Sequence, residues 1–92
     1  MDPQLFEQQL RELLATEKLP NSVSDIHFEV GTDHIGDPAV RVFLVLEPKF
    51  AANFESESNQ REELRKFRTE LTFRILNLNA DYSPFIRLTE AA

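Results

Sequence analysis

The chain has 92 residues, 41% of them hydrophobic, with 10 basic against 16 acidic side chains, a net charge of -6 and no cysteine. That length fits one small domain, since compact domains usually take about 100 to 150 residues. The missing cysteines exclude disulfides and thiolate metal sites, the acid excess argues against a generic polyanion binder, and the sequence has neither a signal peptide pattern nor an apolar run of about 18 residues that would cross a membrane.

Asp2-Pro3 reads as an N-cap followed by proline at the first helical position, where the missing N–H leaves no bond unmade. Leu5, Phe6, Leu10, Leu13 and Leu14 then occupy one half of a helical wheel and Glu7, Gln8, Arg11 and Glu12 largely the other, with Glu7 and Arg11 spaced for an i,i+4 ion pair. This helix is expected to end near Lys18, ahead of the breaker Leu19-Pro20-Asn21-Ser22. Ile26, Phe28 and Val30 next alternate with His27 and Glu29 at the period of a half-buried strand, predicted over 23–30.

The stretch from Gly31 to Pro38 holds both glycines of the chain and is expected to be a hairpin loop that uses each of them at positive φ. Residues 39–47 form the strongest strand pattern, with Val40, Val42, Leu44 and Leu46 on one face and Arg41, Phe43 and Val45 on the other, and this strand is expected to be central. Pro48 closes it. The segment 49–58 is predicted to be an irregular or one-turn connection fastened to the core by Phe50 and Phe54.

Asn59-Gln60-Arg61-Glu62 has capping-box spacing, and Leu64, Phe67, Leu71, Ile75 and Leu78 make a helical stripe, so a second helix is predicted over 60–77. Asn79 to Pro84 is turn chemistry, and Phe85 to Glu90 alternates again as a last strand, with Ile86 and Leu88 opposite Phe85, Arg87 and Thr89. The order is α-β-β-α-β, and the helix between the second and third strands permits them to pair in parallel. The prediction is a single α+β domain over 1–92, a three-stranded mixed sheet with two helices packed on one face.

If those helices cover Ile26, Phe28, Val30, Val42, Leu44, Ile86 and Leu88, the opposite face carries His27, Glu29, Arg41, Phe43, Val45, Phe85 and Arg87. A half-apolar sheet face of this kind marks an association surface unless something folds over it. Three coverings fit: the 48–58 loop, a protein partner or second copy, and single-stranded bases stacked on Phe43 and Phe85 beside Arg41 and Arg87. Phe73 falls nearly opposite Leu64 on the helical wheel and is expected to be exposed there unless the chain tail or the 48–58 loop reaches it, which makes it a further candidate partner contact.

Charge is uneven along the chain. Residues 1–37 hold eight acids and two bases, whereas the second helix sets Arg61, Arg65, Lys66, Arg68 and Arg74 against Glu62, Glu63 and Glu70. Pairing Glu62 with Lys66 and Glu70 with Arg74 at i,i+4 leaves Arg61, Arg65 and Arg68 as the residues that would meet a nucleic acid.

For catalysis or metal binding, the one suggestive cluster is Asp33, His34 and Asp37 in the hairpin loop. It lacks the ligand alternation and closing glutamate of a calcium loop, and Asx-turn bonding by the two aspartates explains it as well. Ser22, Ser24 and Ser83 have no glycine-bounded elbow, His27 has no partner identifiable along the chain, and there is no phosphate-cradling glycine loop. No catalytic residue, metal or cofactor is expected.

The leading helix, two strands, long helix and final strand beginning Ser83-Pro84-Phe85-Ile86-Arg87-Leu88 resemble ribosome-binding factor A, a KH-like RNA-associated domain. That resemblance implies RNA or ribosome association, here through helix 60–77, although the basic surface it implies contrasts with this acidic chain. The run from Gly31 to Val40 and its following strand are similar to a signature in small uncharacterised bacterial proteins, some of which look like the small partner in toxin and antitoxin style modules. The likeness implies an acidic protein that neutralises a basic partner, although the aromatic-rich second strand of that pattern is here reduced to Phe43 beside Arg41. The expectation is a cytoplasmic, non-catalytic interaction module, homodimeric or paired with another protein, with contacts at Phe43, Val45, Phe85 and Phe73, and with RNA binding as the alternative.

Overall fold

Helix α1 (Pro3–Thr16), strands β1 (Val23–Thr32) and β2 (Pro38–Leu46), the short helix α2 (Pro48–Ala52), the long helix α3 (Ser58–Leu78) and strand β3 (Ser83–Glu90) follow one another in a computed structural model that describes residues 3–52 and 58–90. The protein is therefore α+β, with the expected α-β-β-α-β order interrupted only by the five-residue α2. Asp2 and Phe54, expected as an N-cap and a core anchor, lie outside the described residues.

Strand β2 is central, antiparallel to β1 and parallel to β3. The parallel pairing follows from the helical crossover, which carries the chain back to the starting end of the sheet. Both long helices pack on one side. Phe6, Leu10 and Leu14 of α1 and Leu64, Phe67, Leu71 and Ile75 of α3 are buried against Val40, Val42, Leu44 and Leu46 of β2, with Ile26, Phe28, Ile86 and Leu88 completing the layer from the flanking strands.

The buried stripe of α1 is narrower than its apolar half-wheel. It takes residues at i, i+4 and i+8, so Leu5 is left 53% exposed, against expectation. Glu7 and Arg11 do not form the expected ion pair; the Arg11 guanidinium carbon lies 5.8 Å from the centre of the Phe28 ring instead. At the far end of the helix Arg74 of α3 grips both carboxylate oxygens of Glu17, at 2.7 and 2.6 Å, and so ties the two helices together. Phe6 stacks on Tyr82, with ring centroids 4.2 Å apart, in the turn between α3 and β3.

Strand β1 opens with an irregularity between Val23 and Asp25, where Val23 pairs with Leu46 and Asp25 already pairs with Val45. The extra residue shifts the phase of the strand, so Val23 is buried with the core while Asp25, His27 and Glu29 point to the other face. The hairpin strands also run further than predicted. Gly31 pairs with Ala39 inside the ladder and only Gly36, at φ 89°, uses positive φ, which corrects the expectation that both glycines serve the loop.

The connection after β2 takes the one-turn form of the two expected, and Phe50 fastens it to the core. Glu47 receives the Ala51 N–H at 2.9 Å and donates its own N–H to Ser22 at 2.8 Å, so α2 starts with proline at its first position and delivers Phe50 into the core. Helix α3 begins at Ser58 and takes Asn59 into its first turn, so Asn59 does not cap it. Asn79 Oδ1 accepts the Asp81 N–H at 2.9 Å in the turn that leads to β3.

Candidate interaction surface

The sheet registers assemble the outer face row by row. Asp25, Val45 and Thr89 stand side by side, then His27, Phe43 and Arg87, then Glu29, Arg41 and Phe85. Of the covering possibilities, α2 does not take this face, since its Phe50 turns into the core on the helix side. Among the described residues no helix lies over it.

Apolar and charged groups are sorted by strand. The central strand presents Phe43 and Val45, both half-buried by their neighbours. Strand β1 presents Asp25 and Glu29, and β3 presents Arg87 beside Phe85, which is 41% exposed. Arg41 donates from Nη2 to the Thr32 carbonyl at 3.1 Å, which holds its guanidinium toward the hairpin end. His27, which had no partner identifiable from sequence, lies against Phe43 with ring centroids 5.1 Å apart and planes 25° apart. The four charges cancel on a chain whose net charge is -6, so the acidic excess resides elsewhere.

Three of the four predicted contact residues, Phe43, Val45 and Phe85, thus share one surface. Phe73 does not join them. It is 62% exposed as expected, but it projects from the side of α3 opposite the Leu64, Leu71 and Ile75 stripe, and therefore away from the sheet.

Of the two i,i+4 pairs expected on α3, Glu70 with Arg74 is present at 3.7 Å, whereas Glu62 pairs with Arg65 in place of Lys66. Glu62 turns to Arg65, whose Nε lies 3.2 Å away and whose Nη2 makes a second, shorter contact. This hydrogen-bonded pairing holds the Glu62 carboxyl below its ordinary range and raises the Arg65 guanidinium. Arg68 donates to the Ile86 carbonyl at 3.2 Å, Arg61 is partly buried, and Arg74 has Glu17 as its close partner with Glu70 at 3.7 Å. Arg61, Arg65 and Arg68 are therefore not a free basic stripe. Arg65 and Arg68 border the groove between α3 and β3 with Thr69 and Thr72, whose hydroxyls bond back to the carbonyls four residues earlier.

In the hairpin loop Asp33 accepts the Ile35 and Asp37 N–H groups on one carboxylate oxygen, each at 3.0 Å. The expected Asx turn is present at Asp33, whereas Asp37 contributes through its backbone. Among the described residues no three His, Cys, Asp or Glu side chains gather as metal ligands, and no described helix is long and apolar enough to cross a membrane. No family model matches this sequence, and comparison with curated proteins and with solved structures finds no match.

Proposed function

We propose that this protein is a non-catalytic interaction module that binds a protein partner, either a second copy or a separate chain, through the open face of its sheet. The observation that carries the reading is the arrangement of that face: an apolar centre at Phe43 and Val45, extended by Phe85, between a strand bearing carboxylates and a strand bearing Arg87. Interfaces have this anatomy, a dry centre with a charged rim. Burying Phe43 and Phe85 gains free energy from water exclusion, while the rim charges select the partner.

A nucleic-acid reading draws less support. Of its basic residues on α3, Arg65 is bonded to a carboxylate and Arg68 to a backbone carbonyl, and the segment 53–57 between the two crossover helices contains no glycine for a backbone clamp but does contain Glu55 and Glu57. The test is capture from native lysate on the tagged protein, treated with ribonuclease, comparing the wild type with Phe43→Asp. The expected result is a stoichiometric protein, which includes an untagged copy of the same chain, held by the wild type and lost from the variant. Equal capture by both proteins, or retention only of ribonuclease-sensitive material, would overturn the reading.

A further inference from the structure

Building on the reading of the open face as a protein-binding surface, we infer that its occupant is a second copy of this chain, packed face to face about a two-fold axis that runs parallel to β2. Such an axis leaves β2 over the partner's β2 and lays β1 over the partner's β3. The acidic strand of each copy then meets the basic strand of the other. Register places Arg87 level with His27, so in the dimer it sits between the levels of Asp25 and Glu29 of the second copy, about 7 Å along the strand from each and within reach of a long side chain.

The other face-to-face two-fold, perpendicular to the strands, lays β1 over β1 and β3 over β3. It would set Asp25 and Glu29 of one copy against the same carboxylates of the other, and Arg87 against Arg87. Charge therefore selects the first axis. On that axis Phe43 meets Phe43 and Val45 meets Val45, an apolar seam along the centre of an isologous contact. Arg41 also lies on the central strand, but its bond to Thr32 holds its charge at the hairpin end, on the rim.

The neutral sum of Asp25, Glu29, Arg41 and Arg87 permits this contact although each copy carries a net charge of -6. Three strands about 4.8 Å apart and some eight residues long give a footprint on the order of 400 Å² per copy. That is well under the roughly 800 Å² per partner of a standard interface, so dimerisation is expected to depend on concentration.

Sedimentation equilibrium of the full chain over a concentration series tests the inference. The wild type is expected to show a monomer–dimer equilibrium, and Arg87→Glu and the double variant Asp25→Arg/Glu29→Arg are each expected to weaken it by about 10-fold. An equimolar mixture of the two variants should restore dimers, because each then offers the charge the other lacks; that restoration also shows that both are folded. Because the chain has no cysteine, Val45→Cys gives a second readout: a short bis-maleimide that spans packed sheets should link copies at this position, and the Glu29→Cys control, set apart on the outer strands, should link to itself more slowly. A wild type that stays monomeric, charge variants that dimerise unchanged, or a mixture that fails to restore dimers would overturn the inference. Monomeric wild type with Phe43-dependent capture of a different protein would remove the second copy and leave the proposed function standing, whereas Phe43-independent capture would remove both.

Discussion

His27 and Phe43 face each other across the β1–β2 ladder, rings stacked 5.1 Å apart, on the side of the sheet that no described helix covers. The next residue along β2, Leu44, is fully buried on the other side. Neighbours in sequence are thus split between two environments, and their truncations are predicted to differ. Phe43→Ala loses a cross-strand pair and partial burial, about 1 to 2 kcal/mol, whereas Leu44→Ala opens a cavity among the helices and loses about 2 to 5 kcal/mol. Urea unfolding of the two variants checks this, and equal losses would place Phe43 in the core.

The two glycines invite opposite substitutions. Gly31 sits in the β1–β2 ladder with no positive φ, and a Cβ built on it meets nothing within 4 Å. Gly31→Thr is predicted to stabilise the domain by about 0.5 to 1 kcal/mol, because it restricts the unfolded chain and favours the strand. Gly36→Ala also has space, but at φ 89° the backbone is strained for any L side chain, and a loss of about 1 kcal/mol is expected. The sign difference in thermal midpoint is the measurement.

These residues also show what a sequence conveys and what it withholds. Alternation assigned residues 40–46 of β2 and 85–89 of β3 to their observed faces, and the α3 stripe was legible because period and burial agree at Leu64, Phe67, Leu71 and Ile75. Gly31 was not legible, since glycine is equally at home in a turn and in an extended ladder. Neither was the pairing of Glu62, because partners at i+3 and i+4 lie equally near on a helix. Arg74 found Glu17, 57 residues away, and only tertiary packing brings those two together. Phe73 was correctly expected at the surface, but a wheel gives the exposed side of one helix and not its relation to a sheet.

Phe6 and Tyr82 anchor the start of α1 to the turn after α3, stacked at 4.2 Å with planes 11° apart and 2% and 5% exposed. Phe6→Ala is predicted to lose about 3 to 5 kcal/mol. Native domains hold only about 5 to 15 kcal/mol in total, so at this chain length the variant is expected to be partly unfolded near physiological temperature. Circular dichroism melting would show it, and a midpoint shift of only a few degrees would mean that α1 contributes little to the core.

Glu62 gives the pH prediction. Its hydrogen bond to Arg65 lowers its pKa, so it releases its proton at lower pH in the folded protein than in the unfolded chain. Any stability from the pair is complete above the unfolded carboxyl pKa and is lost as pH falls through the folded one. Both side chains are solvent-exposed, at 52% and 67%, so the effect on unfolding is expected to be small. The direct observable is the carboxyl titration by NMR, where Arg65→Gln should return Glu62 to the ordinary glutamate range. A Glu62 titration unchanged in that variant would assign the shift to another group.

The Glu17–Arg74 contact should behave otherwise, because Glu17 is nearly enclosed, with 10% of its side chain exposed, while Arg74 remains 43% exposed. Removing the arginine leaves a largely desolvated carboxylate, and removing the glutamate leaves a cation that still has Glu70 at 3.7 Å. Arg74→Gln is therefore predicted to destabilise more than Glu17→Gln. A double-mutant cycle should give a coupling of about 1 kcal/mol, reduced by added salt because one partner is open to solvent. The order of the two single variants tests the structure, since a pair exposed on both sides would lose the same small amount from either end.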